Sequence, residues 1–159
     1  MQPIRLFCIA VLVGAALSSH AAPTFAQGSA PGMGGMHGME ITPRPKDLDT
    51  ATSKATEHGH FHVAIAPEAP PVSVNRMHRW ILTVHTPDGK PVEDAAITVD
   101  GGMPDHGHGL PTAPRVTKHL GYGRYLVEGV RFNMTGWWRL RFAIAGSARD
   151  SVAFNLDLK

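Results

Sequence analysis

Alternation of apolar and polar residues constrains the fold of this chain more than any other feature of its sequence. Between Trp138 and Ile144, every second residue is apolar, and Arg139, Arg141 and Ala143 stand between them. A period of two places the apolar set on one face of an extended strand, whereas the period of a helix is 3.6 residues. This segment is therefore predicted to be a strand that buries one face.

The same alternation recurs along the C-terminal two thirds of the chain, and no helical period interrupts it. Turn residues separate the runs, as in Thr86-Pro87-Asp88-Gly89, where proline and Asp-Gly favour a tight turn. Pro111 and Pro114 allow only an edge strand in their neighbourhood. The predicted strands cover residues 58–65, 78–85, 95–100, 112–119, 122–130, 138–144 and 151–158.

About seven short strands joined by turns indicate an all-β domain, an antiparallel sandwich of immunoglobulin type, over residues 57–159. Tyr125 is a candidate corner tyrosine whose hydroxyl bonds to the backbone. The apolar members of the alternating runs predict a core of Phe61, Val63, Trp80, Leu82, Val84, Ile97, Tyr125, Trp138, Leu140, Phe142, Phe154 and Leu156.

The first 26 residues have the layout of a secretory signal peptide. Arg5 supplies a positive charge, Leu6–Leu17 is apolar, and small residues lead to candidate cleavage sites after Ala21 and Ala26. The apolar run is shorter than the roughly 20 residues that a spanning helix needs. We therefore expect cleavage, a periplasmic or secreted location, and no membrane span afterwards.

The cysteine content limits the chemistry of any site. Cys8 is the single cysteine in the sequence and lies inside the apolar run of the leader. After cleavage the chain has neither disulfides nor thiolates, so a metal site must use histidine, methionine or carboxylate ligands. The formal net charge of +2 without a basic cluster gives no indication of a nucleic-acid partner.

Residues 27–56 are rich in glycine, methionine and proline and lack an apolar period, so we expect a disordered tail. Within it, Met33, Met36 and Met39 recur every third residue beside His37. Flexible thioethers of this kind could wrap a Cu(I) ion. A low-complexity linker with incidental methionines is the equally simple alternative.

The segment Met103-Pro104-Asp105-His106-Gly107-His108-Gly109 is the clearest candidate for a binding site. Imidazole suits zinc, copper, nickel and iron, whereas the soft thioether favours copper, especially Cu(I) over Cu(II). His106 and His108 lie on one side of an extended chain and need a bend to converge, which the glycines permit. We predict His106, His108 and Met103 as ligands; a solvated glycine-rich loop is the alternative.

Met134 is the fourth candidate ligand, in the turn that follows Phe132. Turns at the same end of a sandwich can meet in space, although the sequence does not tell which turns share an end. His58, His60 and His62 form a row that is predicted to be a solvated strand face, with a surface metal patch as the alternative.

These residues resemble the YtkA-like domain family, which is similar to the FixH-type accessory proteins of copper oxidase assembly. The resemblance rests on the Pro-Asp-Gly-Lys-Pro-Val-Glu-Asp-Ala turn, the 103–109 segment, Gly123-Arg124-Tyr125 and Phe132-Asn133-Met134-Thr135-Gly136-Trp137-Trp138. It implies an immunoglobulin-like sandwich in which Met103, His106, His108 and Met134 match the residues suspected of binding copper. FixH-type proteins keep a membrane anchor, which this chain is not expected to have.

Three classes of function are consistent with the sequence. The first is a periplasmic copper-binding protein that buffers, carries or delivers the ion, with a periplasmic or membrane cuproprotein as candidate acceptor. The second is a non-catalytic interaction module without a metal. An enzyme ranks last, because neither a Ser-His-Asp order nor a His-Glu-x-x-His motif supplies a general base.

Overall fold

The alternating runs form strands in two antiparallel sheets. The computed structural model describes residues 40–159, so the predicted leader and Met33, Met36, His37 and Met39 lie outside the described residues. The strands are β1 (Ser53–Ala55), β2 (His62–Pro67), β3 (Met77–His85), β4 (Ala96–Met103), β5 (His108–Gly109), β6 (Arg115–Gly121), β7 (Arg124–Arg131), β8 (Gly136–Ala145) and β9 (Arg149–Leu158).

The two sheets have the strand orders β1-β2-β3-β7-β6 and β5-β4-β8-β9. The described part of the chain contains no helix, and the predicted all-β sandwich of immunoglobulin type is confirmed. The seven longer strands correspond to the seven predicted ones, and β1 and β5 add three and two residues. β6 lies at a sheet edge, as predicted, and Pro111 and Pro114 precede its first residue.

The first predicted strand begins later than the alternation suggested. His58 and His60 lie in a turn, and the strand starts only at His62. The reason is a pair of backbone hydrogen bonds. The N–H of Thr56 donates to the carbonyl of Phe61 at 2.9 Å, and the N–H of Gly59 donates to the carbonyl of Thr56 at 2.9 Å. These bonds fold residues 56–61 back on themselves, so the row of three histidines is not a continuous strand face.

The structured chain also begins upstream of Glu57. Strand β1 pairs with β2 within the range that the sequence assigned to the tail. Further upstream, the carbonyl of Asp49 accepts a hydrogen bond from Asn155 Nδ2 at 2.8 Å, and Arg44 pairs with Asp157 at 2.9 Å. The described end of the tail is therefore attached to the outer face of β9.

Between the sheets, the core consists mainly of the predicted residues. Ten of the twelve are buried, while Ile97 and Leu156 are partly buried and pack against them. The core also contains Phe132 and Met103, both with no exposed surface. Met103 is not among the predicted core residues, since it precedes a glycine-rich loop.

Tyr125 is the expected corner tyrosine. Its buried hydroxyl donates to the carbonyl of Val92 at 2.7 Å and accepts from the N–H of Ala95 at 3.1 Å. Burial raises the pKa of the Tyr125 hydroxyl. The two bonds fix the chain before β4 against β7 and so set the path by which β4 reaches the candidate site.

Replacement of Tyr125 by phenylalanine should destabilise the domain by about 1–2 kcal/mol, because the Val92 carbonyl would stay buried without its donor. Urea denaturation at neutral pH measures this change. The matched control is Tyr122→Phe, since Tyr122 is 78% exposed and should show an unchanged midpoint. Equal midpoints for the two variants would contradict a structural role of the corner.

Candidate metal site

The Met-His segment forms a tight hairpin at one end of the sandwich. The carbonyl of Met103 accepts bonds from the N–H groups of His106 at 3.1 Å and Gly107 at 3.0 Å, and Leu110 donates to Gly101 at 3.0 Å. Gly107 has a φ of 66°, a left-handed conformation that glycine adopts without strain. The chain therefore turns back at once, and β5 pairs with the end of β4.

The pairing places Met103 and His108 side by side. They are direct partners in the β4–β5 ladder, and such partners project to the same face with Cβ atoms about 5 Å apart. Met103 has no exposed surface, and His108 is half-buried. The thioether thus lies beneath the hairpin, and the imidazole lies beside it.

His108 is held in one orientation. Its Nδ1 lies 3.0 Å from the carbonyl oxygen of Gly109, and since a carbonyl only accepts, Nδ1 must carry the hydrogen. The ring also packs edge-on against Trp138, with 5.7 Å between ring centroids. In the neutral ring Nε2 is then the nitrogen open to an ion, and a backbone bond on the other nitrogen is the usual support of a metal-binding imidazole.

His106 and His108 are close enough to share an ion. Their ring centroids are 6.0 Å apart, with an angle of 49° between the planes. When two imidazoles bind the same ion, each through a nitrogen about 2.0 Å from it, their ring centroids are at most roughly 6 Å apart. His106 is exposed at the tip of the hairpin, so its ring is free to adjust.

The turn that carries Met134 lies at the same end of the sandwich. The indole of Trp138 donates to the Met134 carbonyl at 3.0 Å, and the same ring contacts His108. Gly136 lies so close to the hairpin that an added Cβ would stand 3.0 Å from the Met103 methyl group. Met134 is 38% exposed, whereas Met103 has no exposed surface, so Met134 is the more accessible of the two methionines.

Asp105 adds an unpaired oxygen to the hairpin. Its Oδ1 is buried, and it has no hydrogen-bond partner among the described residues. Buried polar atoms usually find a partner, so this atom is a candidate to bind an ion or to receive a hydrogen bond. Beside it, Pro104 accepts a bond from the N–H of Thr42 at 2.7 Å, which attaches the upstream segment to the hairpin.

These donors suit a soft ion better than a hard one. Within residues 40–159, no group of three histidine, cysteine or acidic side chains is arranged to hold a metal. The donors that the two turns place at this end of the sandwich are two imidazoles and two methionine thioethers, and soft thioethers favour Cu(I), which accepts few ligands.

A second group of histidines surrounds Asp150, which the sequence analysis did not single out. His58 Nδ1 lies 2.9 Å and His60 Nδ1 lies 3.4 Å from its carboxylate oxygens. Burial alone would raise the pKa of Asp150, but hydrogen bonds from Thr56, His58, Ser151 and His60 outweigh it and hold the pKa far below its usual range. The bond to Asp150 in turn raises the pKa of His58.

An all-β sandwich with a Met-His hairpin at one end defines the class of protein. The chain belongs to the YtkA-like family, whose family model matches residues 53–143. The matched range includes the hairpin and Met134, and it begins at the first residue of β1. A relation to FixH-type proteins is not shown by this match and stays a prediction.

Two solved structures have distant similarity to the chain. One is a DUF4426 family protein from Pseudomonas aeruginosa PAO1, with 15% identity and a TM-score of 0.48 over 67% of this chain and 94% of that one. The other is the ZirS C-terminal domain, with 16% identity and a TM-score of 0.39 over 90% and 95%. Neither likeness carries an argument about function, and no curated protein matches the sequence.

Within residues 40–159, no helix has the length and apolar character to cross a bilayer.

Truncation of the two methionines should affect stability differently. Met103→Ala should lower the free energy of unfolding by about 2–5 kcal/mol, since it leaves a cavity in the core. Met134→Ala, at an exposed position, should change it by no more than about 0.5 kcal/mol. Chemical denaturation without added metal measures both, and equal losses would show that Met103 is not part of the core.

Proposed function

We propose that this protein binds copper, with Cu(I) preferred to Cu(II), and that it buffers, carries or delivers the ion. The observation that carries the proposal is the meeting of two turns at one end of the sandwich. The hairpin places the ring centroids of His106 and His108 6.0 Å apart. The Trp138 indole contacts His108 and donates to the Met134 carbonyl, so the Met134 turn lies beside the hairpin. His106, His108, Met134 and Met103 are the proposed ligands.

The accessibility of the four ligands suggests an order of binding. His106 is exposed and His108 and Met134 are partly exposed, so these three can meet an incoming ion without a change in the core. Met103 must shift from its buried position to bind. We therefore propose that the two imidazoles and Met134 bind the ion first, and that Met103 binds it last, from the core side of the hairpin.

Met33, Met36 and Met39 are a second set of thioethers in the sequence and lie outside the described residues. Flexible thioethers suit Cu(I), so we propose that this segment contributes to the capture of copper. Its deletion should lower the copper stoichiometry and leave binding at the hairpin intact.

A carrier fits the donors better than an enzyme does. The hairpin supplies soft ligands and one carboxylate, Asp105, and both of its imidazoles are assigned to the ion, so the proposed sphere leaves Asp105 as the one further acid or base. The leader-like N-terminus favours a periplasmic or secreted location, where a cuproprotein, soluble or membrane-bound, would be the acceptor. The alternative function is a metal-free interaction module that uses the hairpin as a contact surface.

The first test replaces both hairpin histidines by alanine. His106→Ala/His108→Ala should weaken Cu(I) binding at least about 100-fold, since two first-sphere ligands are lost where a supporting residue alone is worth about 10–100-fold. Titration with a competing Cu(I) chelator measures the affinity. Far-UV circular dichroism should stay unchanged because both residues lie outside the core.

The matched control for this test is His62→Ala/His85→Ala, which removes two histidines that are partners across β2 and β3. It should bind Cu(I) as the unaltered protein does. Cu(I) binding by the unaltered protein should also weaken as the pH falls, because a protonated imidazole cannot be a ligand. If the hairpin variant keeps one equivalent of copper at unchanged affinity, the hairpin is not the site and the interaction module becomes the better explanation.

The second test addresses the oxidation state. Met103→Leu/Met134→Leu keeps apolar side chains of similar volume but removes both sulfurs. Cu(I) affinity should fall by about tenfold or more, whereas Cu(II) affinity should change little, since thioethers favour the softer ion. Parallel chelator titrations of the two ions give the ratio, and equal losses for both would contradict selectivity by the methionines.

A further inference from the structure

A second histidine cluster lies far from the hairpin, at the other end of the sandwich. Asp150 pairs with Ile144, which is eight residues along β8 from Gly136, a strand distance of about 26 Å. The cluster consists of His58 and His60, both in the turn 56–61, and the Asp150 carboxylate between them. No ligand proposed for copper belongs to it.

The Asp150 carboxylate is a fixed support and not itself a free ligand. Its side chain has no exposed surface. It accepts hydrogen bonds from the Thr56 hydroxyl at 2.6 Å and from the N–H groups of His58 at 3.1 Å, His60 at 3.2 Å and Ser151 at 2.8 Å. These donors occupy both oxygens, so the carboxylate cannot turn outward to an ion.

The two imidazoles, in contrast, present free nitrogens to solvent. Because the carboxylate accepts, Nδ1 of His58 carries the hydrogen in the 2.9 Å bond, whereas Nδ1 of His60 lies 3.4 Å from the other oxygen, within ion-pair distance. In the neutral rings the Nε2 atoms are then the nitrogens open to an ion. The side chains are 70% and 48% exposed, and the ring centroids are 6.1 Å apart.

Carboxylate, histidine and metal in this order form a recurrent arrangement, in which the acid fixes the tautomer and raises the basicity of the ligand nitrogen. Here one buried carboxylate is hydrogen-bonded to one ring and lies beside the other. The centroid separation of the two rings is near the largest that two imidazoles on one ion can have, with about 2.0 Å from the ion to each nitrogen. Nitrogen donors without sulfur suit borderline divalent ions such as Zn²⁺, Cu²⁺ and Ni²⁺ better than Cu(I).

We propose that His58 and His60 form a second metal site, which binds a divalent transition-metal ion through their two Nε2 atoms. Water completes the coordination sphere, so the ion is held at the surface and exchanges readily. This site is independent of the proposed copper site at the hairpin. It uses other residues at the other end of the fold, and its nitrogen donors favour a harder ion than the thioethers do.

The test uses Zn²⁺ alone and the full chain carrying His106→Ala/His108→Ala, so that the hairpin cannot contribute. Isothermal titration should show one Zn²⁺ bound. Adding His58→Ala/His60→Ala should weaken binding by at least about tenfold, the low end of what a supporting residue alone contributes. The control is His62→Ala, an exposed histidine at the start of β2 that should leave the affinity unchanged.

Histidine ring ¹H–¹⁵N correlation spectra of the hairpin variant locate the ion without altering the cluster. Zn²⁺ should shift the Nε2 resonances of His58 and His60, and this result decides the question if the alanine variant does not fold. The proposal is overturned if these resonances do not move, or if removal of the two rings leaves Zn²⁺ affinity unchanged. Neither outcome bears on Cu(I) binding by the hairpin, so the two proposals fail separately.

Discussion

The register of β8 is the constraint on which both ends of the molecule depend. β8 pairs with β9 from Gly136↔Leu158 to Ala145↔Arg149, and with β4 from Gly102↔Arg139 to Ala96↔Ala145. A slip by one residue would turn Trp138 and Leu140 out of the core. It would also move the Met134 turn relative to the hairpin and Asp150 relative to the turn 56–61. The same backbone pairing therefore builds the core and aligns both histidine groups.

Much of this architecture could be predicted from the sequence because it depends on local periodicity. The apolar alternation of residues 138–144 identifies β8, and the prolines of residues 111–114 identify the edge position of β6. The corner role of Tyr125 follows from its place at the start of a strand between glycines. Each of these inferences needs only a few neighbouring residues, since a strand exposes the same pattern wherever it lies in a sheet.

The remaining features depend on contacts between distant segments, which a single sequence does not show. His58 and Asp150 are 92 residues apart, and nothing near either one marks the other. Residues 58–61 have the alternation of a strand because His58 and His60 are separated by Gly59 and followed by Phe61. Met103 looked like an exposed loop residue, yet β4 continues to it and the Gly136 backbone encloses its methyl group. Depth of burial is set by the partner strand and not by the residue's neighbours in sequence.

The burial of Met103 also bears on how the proposed copper site would work. A thioether in the core already has its apolar contacts, so binding an ion with it must replace packing by a metal bond. Met134, 38% exposed, has less packing to lose. A site with one accessible and one buried methionine would hold an ion loosely through His106, His108 and Met134, and more tightly when Met103 joins. The looser set would then give the ion a route for exchange with an acceptor, while Met103 would add to the overall affinity.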